Sequence, residues 1–167
     1  MIIQLRCVTM WVIVTVVTVV VLVATYVTWT AARVDRLHAR AAAASSALDA
    51  HLVRRAVAAA ELGEARGLAE LQKVAKATLA APVGEREPAE NDLTRVLRKQ
   101  DLDPDNATDT AVVAASRRVA LARQVHTDLV RDALAVRGRP LVRLFRMTRR
   151  HPRPSYFDID DPTVILL

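Results

Sequence analysis

Residues 8 to 29 read VTMWVIVTVVTVVVLVATYVTW, and none of these side chains is charged. At about 1.5 Å per residue, a helix of this length crosses the ~30 Å hydrocarbon core of a bilayer. Valine, the commonest residue here, favours strands in water, but a lone strand cannot satisfy its backbone hydrogen bonds in lipid. Trp11 lies near one end, and Tyr26 and Trp29 lie near the other, where aromatic rings prefer the membrane interface. The stretch therefore predicts one transmembrane helix within an anchor of residues 1 to 32.

A cleaved signal peptide is the alternative for this segment. Thr30 and Ala32 are small residues at a possible cleavage site. The apolar region of a signal peptide, however, is only about 7 to 15 residues long. The longer stretch found here favours an anchor that is retained.

The charges on either side of the stretch predict its orientation. Arg33, Arg36 and Arg40 follow it, whereas only Arg6 and the terminal amine precede it. Basic flanks tend to remain on the cytoplasmic side of a membrane. We therefore expect a single-pass protein with a short N-terminus outside and the body in the cytoplasm.

The composition describes the body that follows the anchor. Of 167 residues, 52% are hydrophobic but only 4% are aromatic, so the apolar side chains are mainly Ala, Val and Leu. Such residues favour long helices that pack closely through small side chains. Cys7 is the only cysteine, which excludes an intrachain disulfide. An all-α fold is expected, in which the anchor continues into an antiparallel bundle of long helices.

Residues 33 to 138 are expected to form this bundle, because their apolar side chains recur at steps of three and four. The predicted helices span about residues 33–80, 89–100 and 107–137. Gly63 and Gly67 weaken the first of them, so a kink or a short break is expected between Leu62 and Leu68.

The last long helix has the clearest periodicity. Its apolar stripe consists of Val112, Ala115, Val119, Ala122, His126, Leu129, Ala133 and Val136, and it is widened by Leu121 and Val125. A stripe this long must lie against another helix, and only the first helix is of comparable length. The sequence therefore predicts that the two pack as an antiparallel pair. Asn106 or Thr108 is expected to cap the start of the last helix.

The segment of residues 139 to 167 begins with a run of arginines and ends in SYFDIDDPTVILL. If Leu141 to Arg150 is helical, arginines line one face and Leu141, Leu144 and Phe145 line another. This pattern is typical of a helix on an anionic membrane surface, where each Arg contributes about 1 kcal/mol. The candidate contacts with lipid or a partner are Arg139, Arg143, Arg146, Arg149 and Arg150. In the alternative, the basic face is only solvated and the Leu and Phe side chains pack into the bundle.

No catalytic or metal-binding motif is visible in the sequence. His38, His51, His126 and His151 are scattered, without the short spacings of a zinc site. There is no Gly-rich phosphate loop and no nucleophile elbow. His126 lies on the packing stripe and is interpreted as a hydrogen-bonded residue of the helix interface. Neither a metal nor a cofactor is expected.

The segment ASRRVALARQVHTDLVRDALAVRGRPLVRLFR, residues 115 to 146, resembles a conserved segment of the LemA family of bacterial membrane proteins. His126 and Thr127 stand where that family has Tyr-Asn. Weaker similarities are AENDL at residues 89 to 93, LDAHLVRR at residues 48 to 55 and SYFDI at residues 155 to 159. The family's Leu-x-Pro-Asn-Leu turn is absent, and AVAAAEL follows the double Arg instead.

The resemblance implies a bundle of long helices with one N-terminal span, an outside N-terminus and a cytoplasmic body at the bacterial plasma membrane. It implies no established catalytic residue and no cofactor. It agrees with the orientation that the flanking charges predict.

A membrane-anchored scaffold or adaptor is the function expected from these features. Its partners would be the anionic bilayer, another membrane protein or a second copy of the chain. One alternative is an enzyme with a helix-borne polar site formed by residues such as His51, Asp128 and His126. Another is non-specific nucleic-acid binding by the basic segment, although no recognised nucleic-acid-binding fold or aromatic stacking set accompanies its charge.

Overall fold

The computed structural model describes residues 2–82, 85–145, 148–149 and 151–164, with side chains described from residue 10 onward. These residues form five helices and no strand. The helices are α1 (Ile2–Ala65), α2 (Ala69–Ala80), α3 (Arg86–Leu97), α4 (Ala107–Arg137) and α5 (Pro140–Leu144). The predicted all-α fold is confirmed.

Helix α1 joins the apolar stretch to the body without interruption. Its first half is long and apolar enough to cross a membrane, and its large apolar side chains from Met10 to Trp29 are exposed, except that Val27 is half-buried. The hydroxyls of Thr15, Thr18 and Thr25 donate to carbonyls one turn earlier, so they need no partner outside the helix. Arg33 lies over the Trp29 ring, 5.9 Å from its centroid, where the apolar stretch ends.

Helices α1 and α4 form the predicted antiparallel pair. Val34 packs near Val136 at one end of the pair, and Leu48 and Leu52 pack against Val119 at its middle. Asn106 caps α4, because its side-chain oxygen accepts from the backbone N–H groups of Thr108 and Asp109. Leu121 and Val125 are exposed, so the prediction that they widen the packing stripe is wrong.

The chain breaks after α1, as predicted, but it also reverses there. Gly67 adopts φ 66°, a conformation that glycine reaches without strain. The predicted helix of residues 33 to 80 is therefore two helices, with α2 folded back onto the end of α1. Residues Leu71 and Ala75 of α2 are fully buried against this end of α1. Helix α3 begins three residues before its predicted start.

The main core lies at the end of the body remote from the apolar stretch. It gathers small and branched side chains from four helices, namely Ala56, Ala59, Leu62, Leu71, Ala75, Leu93, Val96, Leu97, Val112 and Val113, together with Leu102 of the loop between α3 and α4 and Val164. In the other half of the body, fewer elements pack around α1, because only α4, α5 and the C-terminal segment lie along it there. We call this half, next to the apolar stretch, the base.

Gly63 allows α2 to approach α1 closely. A Cβ atom on Gly63 would lie 2.9 Å from the backbone nitrogen of Gln72. We expect Gly63→Ala to lower the free energy of unfolding by about 1–3 kcal/mol, because the two helices must separate. Gly138→Ala is the matched control, since its Cβ would meet only Ala135 at 3.5 Å. Urea unfolding followed by circular dichroism measures both; equal stability of the two variants would contradict the close approach.

Candidate functional site

The base of the body holds the segment that the sequence singles out. Val142 of α5 is buried against Val34 and Val136, and Leu37 packs against the same cluster. Val34 follows Trp29 by five residues, which corresponds to roughly 7–8 Å along a helix. Helix α5 is therefore held beside α1 just beyond the end of the apolar stretch.

The side chains of α5 and its flanks face outward at this level. Leu144 is 73% exposed, and Leu141 and Phe145 are also exposed. The alternative in which these three side chains pack into the bundle is therefore wrong. Only Val142 turns inward.

Three of the five candidate arginines lie among the described residues. Arg139 and Arg143 are exposed at α5 and Arg149 is exposed farther along the chain, while Arg146 and Arg150 lie outside the described residues. The helix expected from Leu141 to Arg150 is shorter than predicted, because α5 ends at Leu144. Of the described arginines, Arg139 at the start of α5 and Arg143 within it therefore flank one short helical turn with exposed apolar side chains.

Arg137 belongs to the same run of basic residues but has a different role. Its guanidinium donates to Nε2 of His38 at 3.1 Å and to the carbonyls of His151 and Pro152 at 3.2 and 3.3 Å. His38 Nδ1 lies 2.9 Å from the Val34 carbonyl, an arrangement that fits a neutral ring with its proton on Nδ1. Arg137 therefore ties α1, α4 and the C-terminal segment together at the base.

His151 adds a second contact between the C-terminal segment and α1. Its ring stacks on that of His38 with 4.7 Å between centroids, and its Nε2 lies 2.7 Å from a carboxylate oxygen of Asp35. The sequence did not suggest this pairing, because 113 residues separate the two histidines. Only the antiparallel return of α4 brings them together.

From His151 the C-terminal segment runs in extended form along α1 and α4. The backbone N–H of Asp158 donates to Glu87, and that of Asp160 donates to Asn91, both on α3. Ile159 and Val164 are buried in the clusters formed by the helices. We call residues 151 to 164 the strap, because they connect the base to the main core.

A cavity of about 310 Å³ lies between α1, α4 and the strap. His38 and His151 stand in its wall, and so does His126. His126 is only 4% exposed, and its Nδ1 has no hydrogen-bond partner among the described residues. Burial lowers the pKa of His126, so the ring is neutral at pH 7. The interpretation of His126 as a hydrogen-bonded interface residue is therefore wrong.

A buried ionic network lies between α1, α3 and α4, farther from the apolar stretch than the cavity. Arg55, with no exposed surface, donates to Glu90 at 3.1 Å, to Thr94 at 2.8 Å and to Ser116 at 3.2 Å. Burial raises the pKa of Glu90 to about 7, although the neighbouring Arg55 and Arg86 act in the opposite direction. Burial likewise lowers the pKa of Arg55. The network holds three helices together through one guanidinium.

The residues of the enzyme alternative do not form one site. Asp128 pairs with Arg131 on the exposed face of α4, whereas His126 lies on the buried face of the same helix. His51 belongs to α1 and does not line the cavity that holds His126. Among the residues that the structure describes, no three His, Cys, Asp or Glu side chains are grouped closely enough to hold a metal ion.

No protein-family model, curated protein or solved structure matches this chain.

Proposed function

We propose that the chain is a membrane-anchored helical scaffold or adaptor whose base rests on the anionic surface of the bilayer. The observation that carries the proposal is the position of α5 beside Val34. There, exposed Leu144 and Phe145 lie near Arg139 and Arg143, at the level of Val34, roughly 7–8 Å beyond the apolar stretch. Apolar side chains that enter the headgroup region, with arginines beside them that meet lipid phosphates, favour binding at a membrane surface.

The apolar stretch of α1 strongly favours this contact with the bilayer. A short apolar turn with a few arginines binds a membrane weakly by itself, but α1 keeps α5 at the bilayer surface and so raises its effective concentration. The contact in turn fixes the angle at which the body leaves the membrane. A body held at a fixed angle presents the same helix faces to any partner in the membrane. The resemblance to the LemA family supports this proposal, because that family also combines one span with a long-helix body.

The membrane contact is tested by removing charge beside α5. We expect the double variant Arg139→Gln and Arg143→Gln to weaken the contact by about 1 kcal/mol per arginine in anionic membranes. Amide hydrogen exchange of residues 141–145 in nanodiscs measures the effect. In the unaltered protein these amides should exchange more slowly with phosphatidylglycerol than with phosphatidylcholine, and the double variant should lose that difference.

Exposed arginines of α4 provide the matched control. Arg117→Gln with Arg118→Gln removes the same charge from the half of the body remote from the apolar stretch. This variant should keep the dependence on anionic lipid. If both double variants behave alike, net charge and not the base determines the lipid dependence, and the proposed contact is wrong.

The orientation of the chain is part of the proposal. The arginines of the base meet an anionic leaflet in the cytoplasm, so the C-terminus should lie there. A reporter that is active only in the cytoplasm, fused after Leu167, should be active in bacteria. Activity only of a reporter that functions outside the cytoplasm would contradict the proposal.

A partner protein would bind the faces that the bundle leaves open. Leu121 is 63% exposed and Val125 is 47% exposed on neighbouring turns of α4. We expect a photo-crosslinker at Leu121 to capture a membrane protein or a second copy of the chain in intact cells. The same crosslinker at Arg131, an exposed position farther along α4, is the control. Equal products at the two positions would contradict a specific partner surface.

A further inference from the structure

The cavity beside His126 has the properties of a binding site for a small molecule. Half of the residues that line it are apolar, namely Ala39, Ala41, Ala42, Val130, Pro152 and Pro154. Its volume of about 310 Å³ lies at the lower end of the range of ligand pockets. At ~30 Å³ for each water-sized group, it has room for roughly ten heavy atoms.

His126 gives this wall an unused hydrogen-bonding group. A buried polar atom without a partner lowers stability by about 1–3 kcal/mol, so it is seldom left in that state without a reason. Nδ1 of the neutral ring is a donor in the tautomer that carries the proton there, and in that tautomer it needs an acceptor. The titratable and charged side chains that share the cavity with His126 are His38, His151 and Arg153.

The acceptor that best fits this lining is an anion. Of the described residues that line the cavity, Arg153 alone has a side chain that is always charged at neutral pH, and no carboxylate lines the wall. Two charged side chains near the cavity already have partners: Arg137 donates to His38, and Asp35 pairs with His151. A carboxylate is purely an acceptor, so it suits both an arginine and a donating imidazole.

We propose that the cavity between α1, α4 and the strap binds a small carboxylate with an apolar body. The apolar part contacts the alanines of α1 and Val130, while the carboxylate accepts from His126 and meets the charge of Arg153. The prolines at residues 152 and 154 cover the ligand from the side of the strap. Because the strap also contacts α3, a bound carboxylate would tighten the connection between the base and the main core.

Hexanoate is the probe, because it combines a short apolar chain with one carboxylate. The full chain in nanodiscs is titrated with hexanoate while the imidazole C–H signals of its histidines are followed by NMR. His126→Gln assigns the signal of His126. We expect a saturable shift of the His126 signal and a rise in the pKa of His126, since a nearby negative charge favours the protonated ring. Hexanamide, which has the same shape without the charge, should leave this pKa unchanged.

Two matched pairs of variants test the location. Ala42→Leu fills the cavity and should weaken hexanoate binding at least about tenfold, whereas Ala47→Leu makes the same change at an exposed position outside it. Arg153→Gln should weaken binding several-fold, whereas Arg117→Gln should not. Circular dichroism checks that all four variants keep their helices.

Several results would overturn the proposal. One is a shift of the His126 signal that does not saturate, or that saturates equally with hexanamide. Another is equal weakening by Ala42→Leu and Ala47→Leu. Because neither variant alters the arginines around α5, a failure here would leave the proposed membrane contact untouched.

Discussion

Replacing Arg55 with methionine is expected to lower the free energy of unfolding by about 3–5 kcal/mol. Methionine fills a similar volume but leaves Glu90, which is 1% exposed, without its cation. The hydroxyl groups of Thr94 and Ser116 lose a donor at the same time. An isolated carboxylate in an apolar interior must either remain charged at a high cost or take up a proton. Urea unfolding of the full chain at pH 7, followed by circular dichroism, measures the loss.

Arg54 provides the matched control for this prediction. It is the preceding residue on α1 and is exposed, so Arg54→Met should change the free energy of unfolding by less than about 1 kcal/mol. The double variant Arg55→Met with Glu90→Leu should recover most of the lost stability, because both charges are then absent. Equal effects of Arg54→Met and Arg55→Met would show that the buried network does not hold the helices together.

The second large effect is a fall in stability between about pH 5 and pH 7. The pKa of Glu90 is about 7 in the folded chain, against an ordinary value of 4.5. Between these values the folded state binds more protons than the unfolded state, so the free energy of unfolding decreases as the pH rises. Above about pH 8, where Glu90 is ionised in both states, this contribution is constant. The full change for this one carboxyl group is about 3 kcal/mol.

Glu90→Gln isolates this effect, because a neutral side chain of the same shape does not titrate. The comparison with Glu90→Gln is needed because the titration of His126 changes the free energy of unfolding with pH in the opposite direction. Burial lowers its pKa, so the stability that it contributes is lost as the pH falls below about 6.5. We expect the difference in unfolding free energy between the two proteins to vary from about pH 5 to about pH 8 and to be constant above. A constant difference over the whole range would mean that Glu90 stays charged in the folded chain.

The helices could be predicted from the sequence because their signals are local. Periodic apolar residues, the cap at Asn106 and the glycines near residue 65 mark where α1 ends and α4 begins. The reversal at Gly67 could not be predicted, since a glycine weakens a helix whether the chain bends or turns back. What determines the outcome is the tight contact between Gly63 and Gln72, which are far apart on a straight helix.

The buried network has one signal in the sequence. Arg55 falls in the apolar series of α1, between Leu52 and Ala59, where a charged residue is out of place. A charge in such a register predicts a buried partner of opposite sign. It does not predict which acidic residue pairs with it, and Glu90 is provided by another helix.

The base and the cavity depend on contacts distant in sequence. The run of arginines was visible, but nothing local shows that Arg137 points inward to His38 while Arg143 stays exposed. The position of the strap could not be predicted from the sequence, because SYFDIDDPTVILL has no periodicity. Its Ile159 and Val164 are buried only because α1, α3 and α4 together form a groove that fits them. The unpartnered nitrogen of His126 also becomes evident only once that groove is built.

The central claim is that α5 lies on the membrane surface, and a probe attached to α5 tests it most directly. A fluorophore is attached through Leu144→Cys in a chain with Cys7→Ser, and the same fluorophore is attached through Leu121→Cys as a control. Leu121 lies near the part of α4 that packs against Leu48, roughly 28 Å along α1 from Trp29.

In phosphatidylglycerol nanodiscs, brominated acyl chains should quench the fluorophore at position 144, and aqueous iodide should not. At position 121, iodide should quench the fluorophore and brominated acyl chains should not. Equal quenching by iodide at the two positions would contradict the account.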